Sequence, residues 1–410
     1  MTTVISEKTD HFLSQLSIPE NSFQLAAAER ALQLDFPTTR DEYWKYTRLS
    51  KISKGAFTDS FEQKEKLDIE DQLVSNEFIV IENGIVREDI SQYQKDYKIE
   101  ISDASSPKTL KVNSSDIFST INRAAAIHNV KITIGANKVI DTPLQIVYLN
   151  HSDRIISNTQ LEINAEKSSK STIVITNIGN EGKESFNNHV MTVDVAENAH
   201  LTINKIQAGN PSNYNISTEE IEQDQNSTFK INTVTLKGAL VRNNINIAVN
   251  GQNCETHMNG AIVTKEKQHI DNHTFVDHKV SNCFSNENYK YVLEGKATGV
   301  FNGRVVVRQD AQVINAYQNN GNILLSDHAS INSKPELEIY ADDVKCSHGS
   351  TTGQLDENAI FYLQARGIAK ENAKKLLVAA FIGEVIEEIE HEGTISLIHR
   401  LFKEVHNWDF

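Results

Sequence analysis

The sequence predicts a mainly β chain: a right-handed parallel β-helix flanked by N-terminal and C-terminal helical domains. Three observations predict it. From Val130 to Tyr340 the chain is a succession of short segments of alternating β-branched residues, among them KITI, LQIVYL, STIVITNI, HLTINKI, TFKINTVTL and GRVVVRQ, the period of strands with one buried face. Short units recur: ENAHLTI at Glu197, QNSTFKI at Gln225, QNCETHM at Gln252 and QDAQVIN at Gln309. The first three repeat at intervals of somewhat under 30 residues, a period suited to stacked rungs. Asn-Gly and Asp-Gly hairpin signals are scarce between the segments, which favours rungs over the hairpins of a sandwich or barrel. The implied division is 1–129, mostly helical with a small hairpin; 130–349, the β-helix; and 350–410, helical again. Ile203, Ile231, Val234, Ile247, Val305 and Val307 are expected to point inward.

In chain order, Ser22 to Leu34 has helical spacing, with Asn21 or Ser22 as cap and Pro37 beyond its end. A short helix follows from Thr39, its first turn carrying Asp41 and Glu42. Trp44 and Tyr46 are apolar anchors for this domain. FIVIENGIV, from Phe78 to Val86, is a hairpin turning at Asn83-Gly84. Ser115 to about Ile127 has the pattern of another helix. After Gly349, LDENAIFYLQARG opens on Asp356 as a cap and closes on Gly367. Ala373 to Ile389 and a stretch from Thr394 carry apolar stripes. These helices either cap the solenoid or dock a partner.

The chain has 410 residues, with 55 acidic and 40 basic side chains and a net charge of −15. That balance disfavours binding of nucleic acid or an anionic membrane through bulk charge. No apolar run approaches the roughly 20 residues that span a bilayer. The first residues lack the pattern of a signal peptide, and three scattered cysteines make no disulfide framework. A cytoplasmic protein is expected. The chain has no Walker A loop, G-x-S-x-G elbow or H-E-x-x-H helix.

Two stretches carry ligand-type residues. Cys254, His257, His269, His273, His278 and Cys283 form either a zinc site or polar corners hydrogen-bonded between rungs. In PELEIYADDVKCSHG, from Pro335, the alternation of Leu337, Ile339 and Ala341 predicts a strand with those residues buried. Cys346 and His348, two apart, then project together on the opposite face, unless the Asp342-Asp343 pair resets the register. Asp277, Asp342 and Asp343 leave open a second function class, a β-helical carbohydrate-active enzyme.

HIDNHTFVDH, the run from Tyr289 to Asp327, and PELEIYADDVKCSHGSTTGQLDENAIFYLQARGI from Pro335 resemble the SufB/SufD family, scaffold proteins of the SUF system of iron–sulfur cluster assembly. DEYWKYT and the Cys-x-His pair are similar to the SufD type within it. The resemblance implies a non-catalytic scaffold subunit, SufD-like, whose β-helix pairs with a SufB-like homologue. It implies that the C-terminal helices bind a SufC-like ABC-type ATPase, in an assembly of one SufB, two SufC and one SufD. Phe361, Tyr362, Arg366 and Phe381 are the candidate docking residues. Cys346 and His348 match positions facing the SufB interface, where they would contribute two ligands to iron or a nascent cluster. A cluster usually takes about four ligands, so the partner completes the site and the isolated chain holds no tightly bound cofactor. A face built to meet a homologue also accepts a copy of itself, so isolated chains are expected to form homodimers.

Overall fold

The computed structural model describes residues 6–64, 67, 69–93, 96–104, 116–179 and 183–408. Its centre is a parallel β-solenoid in which successive strands alternate between two sheets. One sheet has ten strands, running from Val344–Gly353 at one end to Phe78–Glu82 and Ile85–Val86 at the other; its partner has nine, from Ser330–Ile339 to Tyr97–Asp103. Parallel pairing runs through both, and among the described strands antiparallel pairs occur where Ile85–Val86 and Tyr97–Asp103 join the first rungs. The predicted hairpin is present, with φ of 49° at Asn83 and 91° at Gly84, the paired left-handed conformation of a tight hairpin turn.

The repeats mark one corner of the rungs. Asn137, Ser168, Asn198, Asn226, Asn253 and Asn282 all have φ between 57° and 64°. Asparagine tolerates this left-handed conformation better than most residues. The side chains stack as a ladder, with Asn226 Nδ2 donating to Asn198 Oδ1 at 3.1 Å and Asn253 to Asn226 at 2.9 Å. From Ser168 onward the residue after each turns inward and is small: Ser169, Ala199, Ser227, Cys254 and Cys283 are all buried. The QDAQVIN unit is offset from this register. The equivalent corner there is Gln312-Val313-Ile314, and Val313 holds φ 59°.

Ile203, Ile231, Ile247, Val305 and Val307 lie in the main interior core, as expected. Val234 is buried too, but on the outside of its sheet. It lies three residues from Ile231, and an odd separation on a strand reverses the face. What covers it is the pair of helices α6 (Lys370–Ile386) and α7 (Glu392–His406), whose Val378, Ile382, Val385, Leu397, Ile398 and Phe402 pack against Ile206, Val234, Leu236 and Val263. On the other sheet, Phe12, Phe36, Trp44 and Phe118 cover the outer residues Ile156, Phe186, Tyr214 and Ile216. Each helical segment thus shields one sheet face.

The element limits differ in detail from expectation. The helix expected from Ser22 to Leu34 spans Ser22–Ala31, capped by Asn21, and a shorter one, Glu7–Leu13, precedes it. The stretch from Thr39 supplies only a short 3-10 turn, Glu42–Trp44. Trp44 is buried against Arg242, whose guanidinium lies 3.7 Å from its ring centre, whereas Tyr46 is exposed. The next helix is Ile117–Ala125, capped by Asp116; Ser115 lies outside the described residues. The helix Glu357–Gln364 is capped by Asp356, and Gly367 follows with φ 86°. The third C-terminal helix starts at Glu392, two residues before Thr394.

Candidate functional site

The two ends of the solenoid are built differently. Beyond Ser330–Ile339 and Val344–Gly353 no described strand continues either sheet, so one edge of each strand has unpaired backbone groups, a template for another chain. Ser330–Ile339 is guarded by Pro335, which has no N–H to offer, and by Lys334, Glu336 and Glu338. Val344–Gly353 has only one charged residue, Lys345, and no proline, and it is exposed from Ser347 onward. Ser350 Oγ donates to Ser333 Oγ at 2.8 Å, tying the two strands together. Val313, Tyr317, Ile339 and Tyr340 add exposed apolar surface at this end.

Cys346 and His348 stand on that uncovered strand. The expected face is corrected here. Val344 and Cys346 pack against the interior core, so the pair lies on the inner side, not opposite it. The Asp342-Asp343 corner carries the chain from one sheet to the other and resets the alternation counted from Leu337. Ile339, expected to be buried, is 39% exposed because no further rung covers it. Cys346 and His348 share a side, about 7 Å apart along the strand. Burial pushes the Cys346 thiol up. His348 is exposed, and no described residue is hydrogen-bonded to its ring.

Below His348 the register shows a column that sequence reasoning missed. Ile203, Ile231, Met258, Glu287, Gln318 and His348 are successive neighbours across the ladder. The column is apolar in the middle of the solenoid and polar toward the open end. Glu287 is fully buried, accepting from Thr274 Oγ1 at 2.7 Å and Gln318 Nε2 at 3.3 Å. Burial pushes its carboxyl up to about 7. Gly303 leaves the room: a Cβ there would lie 2.8 Å from Gln318 Nε2 and 2.9 Å from Glu287 Oε2. The three polar residues are about 30 positions apart in sequence, so only knowledge of the rung register could have aligned them.

The docking candidates divide. Phe361 and Tyr362, on α5 (Glu357–Gln364), are 71% and 54% exposed, and Arg366 stacks over Tyr362 at 4.1 Å. Phe381, on α6, packs toward Gly321 and Lys290. The first three form one exposed surface; Phe381 helps seat α6 on the sheet.

The histidine-rich region does not converge. His269 hydrogen-bonds Thr47 and Thr298, His273 contacts Asp271, and His278 contacts Ser285. Burial lowers each of these imidazoles, His278 to about 4. Among the described residues no three His, Cys, Asp or Glu side chains gather as metal ligands. The zinc reading is therefore replaced by the alternative of polar corners and inter-rung bonds. A groove of about 500 Å³ lies between the N-terminal segment and the nine-stranded sheet, lined in part by Tyr43, Trp44, Asp116, Glu220 and Asp277. Its chemistry is already engaged. Arg242 covers Trp44, Asp116 caps its helix, Glu220 accepts from Asn246, and Asp277 is held by Arg308 through two bonds.

Residues 147–381 match the family described as SUF system FeS cluster assembly, SufBD core domain. The chain is 32% identical over 289 residues to an iron-sulfur cluster assembly SufBD family protein of Synechocystis, a match spanning 68% of this chain and somewhat under two thirds, 64%, of that protein. It is 26% identical over 378 residues to the iron-sulfur cluster assembly protein SufD of Escherichia coli, covering 89% and 88% of the two chains. It is 28% identical over 395 residues to the chloroplastic protein ABCI7 of Arabidopsis thaliana, covering 91% and 83%.

Proposed function

The chain belongs to the SufBD family of the SUF iron–sulfur cluster assembly system, and from that premise we propose that it is a SufD-type, non-catalytic scaffold subunit. Its open solenoid end pairs with a SufB-like homologue. The observation that carries this is the unguarded edge Val344–Gly353 on a solenoid whose other end finishes in antiparallel strands, the two-residue Ile85–Val86 and the charged Tyr97–Asp103. Such an edge accepts a strand from a partner with the same rung spacing. In the isolated chain the same edge takes a second copy, giving a homodimer.

At that junction Cys346 and His348 supply a thiolate and an imidazole to iron or a nascent cluster, which is cargo and not a resident cofactor. Both donors suit iron, and thiolate is the usual cluster ligand. Two donors leave the site incomplete until the partner adds its own. The exposed surface of Phe361, Tyr362 and Arg366 docks a SufC-like ABC-type ATPase, which provides the nucleotide chemistry. No described helix is long and apolar enough to cross a membrane, and the cytoplasm is the proposed location.

The test is the assembled complex with Cys346→Ala or His348→Ala. Size-exclusion chromatography reads assembly, and absorption spectra with iron and sulfide assays read cluster formation. The proposal expects intact complexes with reduced cluster formation. Normal cluster formation in both variants would overturn the site, and unchanged pairing after proline substitution at Ser350 and Thr352 would overturn the edge.

A further inference from the structure

Cys254 and Cys283 are used by nothing described so far. Their place in the fold brings them together. Glu255 pairs in register with Phe284, so the preceding residues, Cys254 and Cys283, are neighbours on adjacent rungs of the same corner column. Adjacent strands lie about 4.8 Å apart, inside the Cα separation of about 4.4–6.8 Å that a disulfide spans. Both sulfurs also converge on one acceptor: Cys254 Sγ lies 3.1 Å and Cys283 Sγ 3.4 Å from the carbonyl oxygen of Gly251.

We propose that Cys254 and Cys283 are a reversible dithiol–disulfide pair, a modification site that covalently staples two rungs of the solenoid when a peroxide oxidises it. The order of events follows from the surroundings. Ser227 Oγ lies 3.5 Å from Cys254 Sγ. The hydrogen bond between the two thiols favours the Cys254 thiolate and disfavours a Cys283 thiolate, which burial disfavours further. Cys254 therefore reacts first. Its thiolate attacks hydrogen peroxide, the O–O bond breaks, and a sulfenic acid forms with loss of hydroxide. The Cys283 sulfur then attacks the sulfenyl sulfur, the S–O bond breaks, and hydroxide leaves again. With the two thiol protons the products are one disulfide and two waters; the thiols lose two electrons and the peroxide gains them.

Access and selectivity are built in. Both thiols are buried, yet each follows directly on an exposed corner asparagine, Asn253 or Asn282, so only one layer of chain separates them from solvent. Cys346 is outside the pair's reach. The Cys283 position continues through Ile314 to Val344, so Cys346 lies two rungs on and two residues along. The staple thus forms while the open-end thiol stays free.

The experiment treats the full-length chain with hydrogen peroxide, then alkylates it under denaturing conditions and maps peptides by mass spectrometry. Lys265, Lys267 and Lys279 lie between the two cysteines, so trypsin leaves them on separate peptides unless they are linked. The expected result is a Cys254–Cys283 linked peptide two hydrogens lighter than the reduced pair, with Cys346 alkylated. The link should reverse with dithiothreitol, raise the thermal midpoint by several degrees, and vanish in Cys254→Ser and Cys283→Ser. Serine fits this corner, since Ser227 occupies the rung before Cys254, and circular dichroism checks that both variants fold. Two alkylatable thiols after oxidation, sulfinic acid at either residue without a link, or a disulfide drawing in Cys346 would each overturn the proposal.

Discussion

Val313 occupies the corner position that asparagine holds on the rungs before it, and it does so at φ 59°. A left-handed conformation costs an L-residue about 1–2 kcal/mol, and β-branching puts Val313 among the worst suited to it. Asn282, one rung back, holds φ 64°. Replacing Val313 by Asn should remove most of that cost. A ladder bond to Asn282, like the 3.1 and 2.9 Å bonds between the earlier asparagines, would add about 0.5–1 kcal/mol. Against this stands the lost apolar burial. Val313 is already 47% exposed, so at about 25 cal/mol per Å² the loss stays under about 1 kcal/mol. The net expectation is a gain of about 1 kcal/mol at the open end. Amide hydrogen exchange is the suitable assay, because it reads the local opening of the last rungs, which a whole-molecule unfolding curve averages away. Protection from Ile314 to Leu324 should rise about five-fold, and the reciprocal Asn282→Val should lower it at its own rung. Equal or weaker protection in Val313→Asn would refute the argument from backbone strain.

Lys205 is buried inside the solenoid, donating to Ser217 at 2.6 Å, Asn243 at 2.8 Å and Glu219. Lys205→Ala should cost about 3–5 kcal/mol in urea unfolding by stranding the Glu219 carboxylate, whereas Lys205→Met with Glu219→Leu should recover most of it. Glu287 titrates near 7 in the folded chain against an ordinary 4.5, so the native state holds the extra proton. The stability it contributes is full below about pH 4.5 and is lost as pH rises through 7. Glu287→Gln should flatten the fall between about pH 4.5 and 7 by about 1–3 kcal/mol; an unchanged pH profile would exclude that carboxyl. Phe361→Asp or Arg366→Glu should weaken capture of the proposed SufC-like partner at least ten-fold without altering the thermal midpoint. Point substitutions suit this test better than deletion, since α6 and α7 cover apolar sheet surface. Light scattering of the isolated chain at micromolar concentration should give the mass of a dimer, and a monomer alone would count against edge pairing.

Much of this protein is set by sequence alone, because its signals are local. Period-2 alternation specifies the strands of a solenoid, an Asn followed by a small residue marks one corner on several rungs, and Asp116 and Asp356 announce helices. Family resemblance extended that to the assembly system. Other features depended on the stacking of rungs. Alternation fixes which residues share a face within one strand, but the corner at Asp342-Asp343 decides which face is inner on the next. The sequence therefore carried Cys346 and His348 as a pair while misjudging their side. Val234 is buried because helices that begin more than 130 residues later lie over it, and no local pattern encodes that cover. Glu287, Gln318 and His348 line up, and Cys254 meets Cys283, only because rungs of unequal length return to the same register. Each juxtaposition arises from hydrogen bonds between residues about 30 apart, so the tertiary structure decides it.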